Sequence, residues 1–360
     1  MTNKSYIVLL SGENPSLATM EIRALLSAFR GVSIKKLSRR TLKVTITEAG
    51  LGEDKERQII LAMKEAAMSH YIIEMIKKIH FVNFSENSLV KAVQKICWER
   101  YIHLSKTFSV RVKVYSKERK SVTPKPKECE KIIGKVIKEK TNARVNLNKS
   151  DVQVVVLVIK NQLLIGIKVG DTCRKEVNKR QPSKRPYFHP SSMNAIYART
   201  IVNLTNLMKS QIFLDPFCGV GGFLIESLKR GFISVGIDID PKMIHGARKN
   251  LKFFFKDNKW FNLLLGNAEF IPFSNVDGIA TDPPYGRAAS THGRSILTVY
   301  EKVVKEFFRV LKSGGILVLV SPHYLDLKNL IDRTRFRVVG YSRVYVHKSL
   351  IREIFVLKKR

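Results

Sequence analysis

The chain has 360 residues, with 64 Lys or Arg against 30 Asp or Glu, which gives a formal net charge of +34. Hydrophobic residues make up 44% of it, enough to build folded cores, so a disordered chain is excluded. The basic excess is 36 over 17 in residues 1–180 and 28 over 13 in residues 181–360, which excludes a basic tail on a neutral enzyme and predicts a polyanionic partner, by default nucleic acid.

Residues 1–54 predict a small α+β unit. Residues 1–12 lack the charged-then-apolar pattern of a secretory signal, so we expect a cytoplasmic protein. A β-rich run covers residues 6–10, and Asn14 followed by proline opens a helix with apolar residues at helical spacing. Residues 32–37 and 42–47 then predict two strands.

Residues 55–170 predict a second α+β unit. Helices are expected at 55–68, 88–98 and 127–140, and strands at 71–76, 108–114, 152–159 and 163–169. Between residues 106 and 149 there are 14 basic and 4 acidic residues. A solvated helix face or a lysine-rich surface explains part of this excess. Its interleaving with ordered apolar positions favours a folded, RNA-facing surface over a disordered tail.

Residues 171–190 lack apolar periodicity and predict a basic linker. From residue 191 onward helices and strands alternate, which is typical of a parallel α/β sheet. Its strands are expected at 211–214, 233–237, 263–265, 276–281 and 315–320, and residues 338–346 with 351–357 predict a closing antiparallel hairpin.

A glycine-rich turn follows the strand at 211–214. Such a turn lets a ligand approach the backbone at the carboxyl edge of a sheet. The dinucleotide pattern G-x-G-x-x-G/A fails because Leu224 occupies its last position. The pattern D-x-F-x-G-x-G instead resembles the S-adenosylmethionine loop of class I methyltransferases, and its defined positions are Asp215, Phe217, Gly219 and Gly221.

The next two strands carry the rest of the candidate cofactor site. Asp238 ends the strand at 233–237 and is placed to accept hydrogen bonds from a ribose diol, with Ile239 packing on the adenine. Asn267 and Ala268 follow the strand at 263–265, where methyltransferases often have an acid. The Asn267 amide departs from that pattern but can still hydrogen-bond the base edge. Taken singly, these residues also fit a tight turn and a helix cap.

The most specific signal is the sequence Asp282-Pro283-Pro284-Tyr285 after the strand at 276–281. The exocyclic amine of a base is a poor nucleophile because its lone pair is delocalised. The Asp282 carboxylate and the Pro283 carbonyl, held by two prolines, can accept both N–H bonds and aim that lone pair at a methyl donor. Tyr285 offers a face on which a flipped base can stack. Termination of a strand is the alternative role of the prolines.

Neither a metal site nor a disulfide framework is expected. The four cysteines lie 32, 44 and 45 residues apart and the eight histidines are scattered. The chain has no run of 18 apolar residues, so we expect no membrane span. Residues 286–293 are bracketed by glycines and predict a mobile loop that closes on RNA.

Together these motifs resemble the archaeal tRNA guanosine-10 N2-methyltransferase family, which joins a THUMP domain to a Rossmann-like class I methyltransferase carrying D-P-P-Y-G-R. The sequence R-P-Y-F-H-P-S-S-M from Arg185 also matches that family. The resemblance implies an N-terminal ferredoxin-like domain (1–54), a THUMP domain (55–170), the linker (171–190) and the methyltransferase domain (191–360). It further implies that Phe188 and His189 close over the cofactor, and that the first two domains grip tRNA, with the acceptor 3′ end held by THUMP.

We therefore expect an S-adenosylmethionine-dependent enzyme that methylates the N2 amine of guanosine 10 in tRNA, with the base flipped into the Asp-Pro-Pro-Tyr pocket. It is expected to be a monomer that binds no membrane. Open alternatives are guanosine 6 of tRNA or a ribosomal RNA guanosine, DNA adenine-N6 methylation, protein glutamine methylation and a non-catalytic tRNA-binding protein. The number of methyl groups and the need for an activating protein subunit also stay open.

Overall fold

The computed structural model describes residues 3–47, 52–81, 84–115, 125–256, 259–285, 296–348 and 350–360. The chain divides into two compact units. The first unit contains Met1–Gly12, Phe29–Lys64 and Ser69–Thr172, and the second unit contains Glu13–Ala28, Glu65–Met68 and Cys173–Arg360. None of the described helices is long and apolar enough to cross a membrane.

The first unit is built on one eight-stranded sheet. Its strands are β1 (Lys4–Leu10), β2 (Val32–Ser38), β3 (Thr41–Ile46), β4 (Ser69–His80), β5 (Thr107–Val114), β6 (Arg144–Val145), β7 (Val152–Ile159) and β8 (Gln162–Asp171). They lie in the order β2-β3-β1-β4-β8-β7-β5-β6. β5 runs parallel to β6 and β7, and the other neighbours are antiparallel. The pairing of β1 with β4 joins the two predicted N-terminal domains in a single sheet, and their predicted boundary at residue 54 stays a prediction.

Three helices complete the first unit, α2 (Glu53–Lys64), α3 (Glu86–Gln94) and α4 (Pro126–Thr141). α3 and α4 contribute to a core that includes the fully buried Trp98 and Phe108. Ile133 and Ile137 of α4 are likewise fully buried, as their spacing of one helical turn predicts.

The second unit holds a seven-stranded sheet of β9 (Ile212–Asp215), β10 (Ile233–Asp238), β11 (Phe261–Leu265), β12 (Val276–Thr281), β13 (Leu311–Pro322), β14 (Phe336–His347) and β15 (Leu350–Lys359). The strand order is β11-β10-β9-β12-β13-β15-β14. The first five strands of that order are parallel, and β15 runs antiparallel to both β13 and β14. The predicted fold class, a Rossmann-like sheet with a closing antiparallel hairpin, is confirmed.

The helices of the second unit are α1 (Pro15–Leu26), α5 (Arg174–Asn178), α6 (Ala195–Leu204), α7 (Gly222–Lys229), α8 (Pro241–Phe254), α9 (Ile296–Val310) and α10 (Leu327–Asp332). After β9 the chain builds β10 and β11 outward on one side and then returns to place β12 on the other side of β9. This reversal is a topological switch point, and it opens a crevice at the carboxyl ends of β9 and β12. A ligand site is therefore expected there.

The helix predicted over residues 55–68 ends at Lys64. The next four residues belong to the second unit, where they meet Glu21 of α1. The buried Glu21 carboxylate accepts the backbone N–H groups of Ala67 and Met68, both at 2.8 Å, and the Asn203 amide at 2.7 Å. The bonds to a distant carboxylate, which no local pattern reveals, hold this segment outside the helix.

Replacement of Glu21 is expected to destabilise the second unit. Glu21→Ala leaves two buried backbone N–H groups and an amide without their acceptor, which costs about 2–4 kcal/mol in the free energy of unfolding. Glu21→Gln keeps one acceptor oxygen and should cost less. Urea titration measures both, with Glu301→Ala on the exposed face of α9 as the control. A loss below about 0.5 kcal/mol for Glu21→Ala, the range of surface substitutions, would contradict this role.

The predicted linker contains α5 and two buried arginines. Arg180 donates from Nε and Nη2 to the two carboxylate oxygens of Glu226 in α7, at 2.8 and 2.7 Å. Arg185 is 6% exposed and donates from Nε to the Arg180 carbonyl at 3.1 Å. These two cations are therefore internal to the second unit and do not face RNA. The acidic partner of Arg180 lies in α7, beyond the intervening α6, so composition alone could not show the burial of these arginines.

Candidate active site

Three aspartates lie at the carboxyl ends of neighbouring strands. Asp215 ends β9, Asp238 ends β10, and Asp282 directly follows β12. Because β9 lies between β10 and β12, the three side chains gather at the switch point. Asp238 and Asp282 are close enough for their charges to raise the pKa of Asp215. The structure thus brings together the predicted cofactor and catalytic motifs.

Asp215 links the glycine loop to the strand that precedes Asp282 through hydrogen bonds. It is 1% exposed, and its Oδ1 accepts the Thr281 hydroxyl at 2.9 Å and the Phe217 N–H at 3.3 Å. Burial raises the pKa of Asp215 to about 8, against the opposing effect of these two hydrogen bonds. With its carboxylate enclosed in this way, Asp215 sets the spacing between the glycine loop and the strand that carries Asp282.

The glycine loop has the backbone conformation that glycine favours. Gly219 has φ +50° and Gly221 has φ +83°, both in the left-handed region. A Cβ built on Gly219 would meet no atom of the described residues within 4 Å, so they leave the loop open on that side. At Gly221 a Cβ would contact Ala247 of α8 at 3.4 Å. One glycine therefore leaves room beside the loop, and the other lets the loop pack closely on α8.

Asp238 is held by backbone groups and keeps acceptor capacity. Its Oδ2 accepts the Gly219 N–H at 2.8 Å, and its Oδ1 accepts the Asp240 N–H at 3.0 Å. A carboxylate has about four lone-pair sites, so these two bonds leave acceptors for a further ligand. Burial is the main cause that raises the pKa of Asp238, and the two backbone bonds oppose it.

Two apolar side chains predicted to contact the cofactor are solvent-exposed. Ile239 is 58% exposed and Phe188 is 57% exposed. Asn250 of α8 connects the Phe188 segment to the glycine loop, because its side chain bonds both backbone groups of Tyr187, each at 2.9 Å, and the Val220 carbonyl at 3.0 Å. Sequence reasoning missed Asn250, whose signal is a buried amide within an amphipathic helix.

Asn267, Ala268 and His189 are the remaining residues predicted to contact the cofactor. Gly266 donates its N–H to the Asp238 carbonyl at 3.0 Å, which brings the following residues to the same edge. Asn267 uses its Oδ1 to accept the Glu269 N–H at 2.9 Å, and Ala268 is buried. The His189 ring bonds locally through Nδ1, with the Ser191 hydroxyl at 2.7 Å and the Ser191 N–H at 3.3 Å.

The Asp-Pro-Pro-Tyr segment is compact and partly enclosed. Pro283 is buried, and Asp282, Pro284 and Tyr285 are half-buried. The Tyr285 hydroxyl donates to Asp282 Oδ1. Burial raises the pKa of Asp282, while the Arg352 charge and the Tyr285 hydrogen bond lower it. The predicted mobile loop, residues 286–293, lies outside the described residues.

Arg352 is a second residue that sequence reasoning missed. It pairs with Pro322 in the antiparallel register of β15 and β13, which places it at the carboxyl edge of the sheet. Its Nη2 lies 3.4 Å from Asp282 Oδ2, and its Nε donates to the Tyr285 hydroxyl at 2.9 Å. The available signal was a charged Arg-Glu pair within the apolar run of the last strand.

The residues at this edge suit a nucleoside-bearing ligand. The open glycine loop lets a ligand lie close to the backbone. The Asp238 carboxylate has acceptors left for a diol, and the exposed Ile239 and Phe188 side chains can contact an aromatic base. Next to them, Asp282 provides an acceptor for a second substrate. The described residues contain no group of three or more side chains able to hold a metal ion.

Comparison with known families matches both halves of the chain. A THUMP domain model matches residues 84–168, and an RMKL-like methyltransferase domain model matches residues 182–352. The fold also matches solved structures of TrmN from Thermus thermophilus (TM-score 0.57, 18% identity, 99% of this chain and 100% of that one) and of SMU.472 complexed with SAH (TM-score 0.54, 14% identity, 100% and 99%). At these identities the structures show the fold alone.

Sequence relatives extend the match over the full length. The tRNA (guanine(10)-N2)-dimethyltransferase of Methanothermobacter thermautotrophicus is 32% identical over 358 residues, 98% of this chain and 99% of its own. The protein of that name from Methanocaldococcus jannaschii is 32% identical over 97% and 98%. The tRNA (guanine(6)-N2)-methyltransferase of M. jannaschii is 26% identical over 71% and 77%. The chain therefore belongs to the archaeal tRNA (guanine-10 N2)-methyltransferase family, in which a THUMP domain precedes a Rossmann-like methyltransferase domain.

Proposed function

We propose that the protein transfers methyl groups from S-adenosylmethionine to the exocyclic N2 amine of guanosine 10 in tRNA. The observation that carries this proposal is the placement of the Asp282 carboxylate beside the open glycine loop at the switch point. Membership of the family supports guanosine 10 as the methylated nucleotide. Relatives at 32% identity are named dimethyltransferases, which supports two successive transfers to the same amine.

The cofactor fits the first part of the site. S-adenosylmethionine, when bound, supplies an electrophilic methyl group on sulfur. Asp238 is suited to accept its ribose hydroxyls, while Ile239 and Phe188 offer apolar surface for the adenine, which Asn267 and the buried Ala268 would flank. Gly219 and Gly221 provide a loop on which the rest of the molecule can lie, and Asp215 and Phe217 hold that loop in place. SMU.472, which shares the fold, is complexed with SAH, the demethylated form of that cofactor.

Asp282 and Pro283 would activate the amine. The carboxylate and the Pro283 carbonyl accept its two N–H bonds, which draws the nitrogen towards sp³ geometry and directs its lone pair at the methyl group. Asp282 or a water molecule then takes the proton. Pro283 and Pro284 fix the backbone that presents these acceptors. Guanosine 10 lies within a stem, so the base must be flipped out, and the Tyr285 ring offers it a stacking face.

A basic and aromatic cluster in the first unit supports tRNA as the partner. Lys113 Nζ and Lys168 Nζ lie 4.9 and 5.6 Å from the Tyr71 ring centre, and the Arg40 guanidinium lies 5.4 Å from that of Tyr115. Burial lowers the pKa of Lys113, and the charges of Arg40 and Lys168 lower it further. Asp171 pairs with Lys168 at 2.7 Å. An RNA phosphate bound here would offset the remaining repulsion among the charges of Lys113, Arg40 and Lys168.

The affinity for tRNA is expected to fall steeply with salt concentration, because bound cations of the RNA are released on binding. Lys113→Ala should lower the slope of log affinity against log salt by about 1 for each phosphate contact that it removes. Lys135→Ala is the matched control, since Lys135 in α4 already faces Glu139 at 3.9 Å. Fluorescence anisotropy over a salt series measures both slopes. Equal slopes for Lys113→Ala and the unsubstituted protein would exclude Lys113 from phosphate binding.

One assay tests the proposed function as a whole. The protein is incubated with methyl-labelled S-adenosylmethionine and, separately, unmodified tRNA transcripts, duplex DNA and protein substrates. The proposal expects N2-methylguanosine and N2,N2-dimethylguanosine in digests of the tRNA alone. Label in adenine of DNA or in glutamine would establish one of the alternative activities, and tRNA binding without any label would establish a non-catalytic role.

A further inference from the structure

We propose that Arg352 is a positioning residue for methyl transfer, whose guanidinium fixes the Asp282 carboxylate as an acceptor and donates to the Tyr285 hydroxyl oxygen, which holds the Tyr285 ring in place when the base arrives. The proposal rests on the proposed function, since it assigns a role within the same pocket. Arg352 does not touch the reacting atoms in this account. It acts through Asp282 and Tyr285.

Arg352 and the Asp-Pro-Pro-Tyr motif reach the pocket from different strands of the sheet. Asp282 follows a parallel strand, whereas Arg352 begins an antiparallel one, so the two meet at the same sheet edge. Both side chains are 16% exposed. The guanidinium reaches Asp282 Oδ2 at 3.4 Å and the Tyr285 hydroxyl at 2.9 Å, and its carbon lies 5.9 Å from the centre of the Tyr285 ring. One side chain thus contacts both polar groups of the motif.

Within the described part of the chain, the groups other than Arg352 whose pKa the Asp282 charge affects are Asp215, Tyr285 and Tyr300. The Asp282 charge contributes to the raised pKa of the buried Asp215 of β9. Burial raises the pKa of Tyr300 of α9, and Asp282 and Tyr324 raise it further. Tyr324 donates to the Tyr285 carbonyl at 3.0 Å. Among the described residues, Arg352 is therefore the cation that opposes the burial of the Asp282 charge.

The second contact of the Arg352 guanidinium is with the Tyr285 hydroxyl. In this structure the Tyr285 hydroxyl occupies Asp282 Oδ1, an oxygen that the guanine amine would need. When the amine takes that position, the hydroxyl loses its acceptor. The hydroxyl oxygen accepts from Arg352 Nε before and after the exchange. A guanidinium has no acceptor, so Arg352 does not replace the bond that the hydroxyl loses; it keeps the Tyr285 ring in position while Asp282 Oδ1 turns to the substrate.

The test is the pH dependence of kcat/KM for tRNA with saturating S-adenosylmethionine in Arg352→Gln and Arg352→Lys. An acid that loses a nearby cation has a higher pKa. In Arg352→Gln the acid limb should therefore move to higher pH by about 1–3 units, so that activity is lost most at low pH and recovers as the pH rises. Arg352→Lys keeps the charge but not the planar fork, so its limb should stay close to that of the unsubstituted enzyme while kcat falls.

A parallel loss at every pH in Arg352→Gln, with no movement of the acid limb, would show a merely structural role and overturn the proposal. The same question has a readout without turnover. The 13Cγ shift of Asp282, assigned with Asp282→Asn, titrates with the carboxyl, and its midpoint should rise in Arg352→Gln and not in Arg352→Lys. An unmoved midpoint overturns the proposal for Arg352. Absence of tRNA methylation by the unsubstituted protein would instead refute the proposed function.

Discussion

Asp282→Ala should lower the rate of methyl transfer by about 10³-fold, equivalent to about 4 kcal/mol of activation free energy, while tRNA and cofactor still bind. The substitution removes the carboxylate that is proposed to accept an amine N–H and leaves the glycine loop and Asp238 in place. Since the amine cannot be drawn out of conjugation by the Pro283 carbonyl alone, the loss should fall on the chemical step.

Single-turnover kinetics with preformed complexes measures that step directly. Asp282→Asn retains one carbonyl oxygen as an acceptor but no charge, so its rate should lie between those of Asp282→Ala and the unsubstituted enzyme. Asp332→Ala, on an exposed position of α10, is the control and should leave the rate unchanged. A near-normal rate in Asp282→Ala would refute the role assigned to this carboxylate.

Asp238→Ala should weaken S-adenosylmethionine binding by about 100-fold. The substitution removes a charged acceptor for the ribose hydroxyls, and such hydrogen bonds contribute about 1.5–3 kcal/mol each. It also releases the N–H groups of Gly219 and Asp240, which Asp238 holds at 2.8 and 3.0 Å. The loop would then lose part of its fixed shape.

Isothermal titration with S-adenosylmethionine tests this expectation without turnover. Asp238→Asn should bind more tightly than Asp238→Ala, because the amide oxygen still accepts one of these bonds. Asp332→Ala again serves as the control. Binding of the cofactor to Asp238→Ala within threefold of the unsubstituted protein would remove Asp238 from the cofactor site.

The part of the site that could be predicted from the sequence consists of residues at strand ends. Asp215, Asp238 and Asp282 each follow an apolar run that reads as a buried strand, and parallel strands place such residues at one edge. The strand positions, the closing hairpin and the order of the motifs were therefore accessible from local patterns. Their roles towards cofactor and base stay predictions.

The supporting residues could not be predicted, because each depends on contacts between distant parts of the chain. Arg352 reaches Asp282 through the antiparallel register of the last strand, and Asn250 links Tyr187 to Val220 across a helix. Glu21 binds the backbone of residues 67 and 68 in the second unit. The helix α2 therefore ends at Lys64, earlier than its periodicity indicates. Local patterns identify a helix or strand but not the partner that its polar residues meet.

The net charge of +34 and the acidic site have separate roles in this account. Cations spread over both halves of the chain are expected to attract tRNA and to give it a salt-dependent affinity. The groups gathered at the sheet edge are mainly carboxylates, and burial raises the pKa of Asp215, Asp238 and Asp282. We therefore expect affinity to depend on charge over a large surface, and the choice of atom to depend on the geometry of a small pocket.

A tRNA transcript with inosine at position 10 tests whether the N2 amine of guanosine 10 is the methyl acceptor. Inosine lacks the 2-amino group and otherwise preserves the shape of guanosine. We expect this transcript to bind like the guanosine-10 transcript but to take up no label from S-adenosylmethionine, while a transcript with inosine at position 6 is methylated normally. Undiminished labelling of the inosine-10 transcript, or loss of labelling on substitution at position 6, would show that another group is the methyl acceptor.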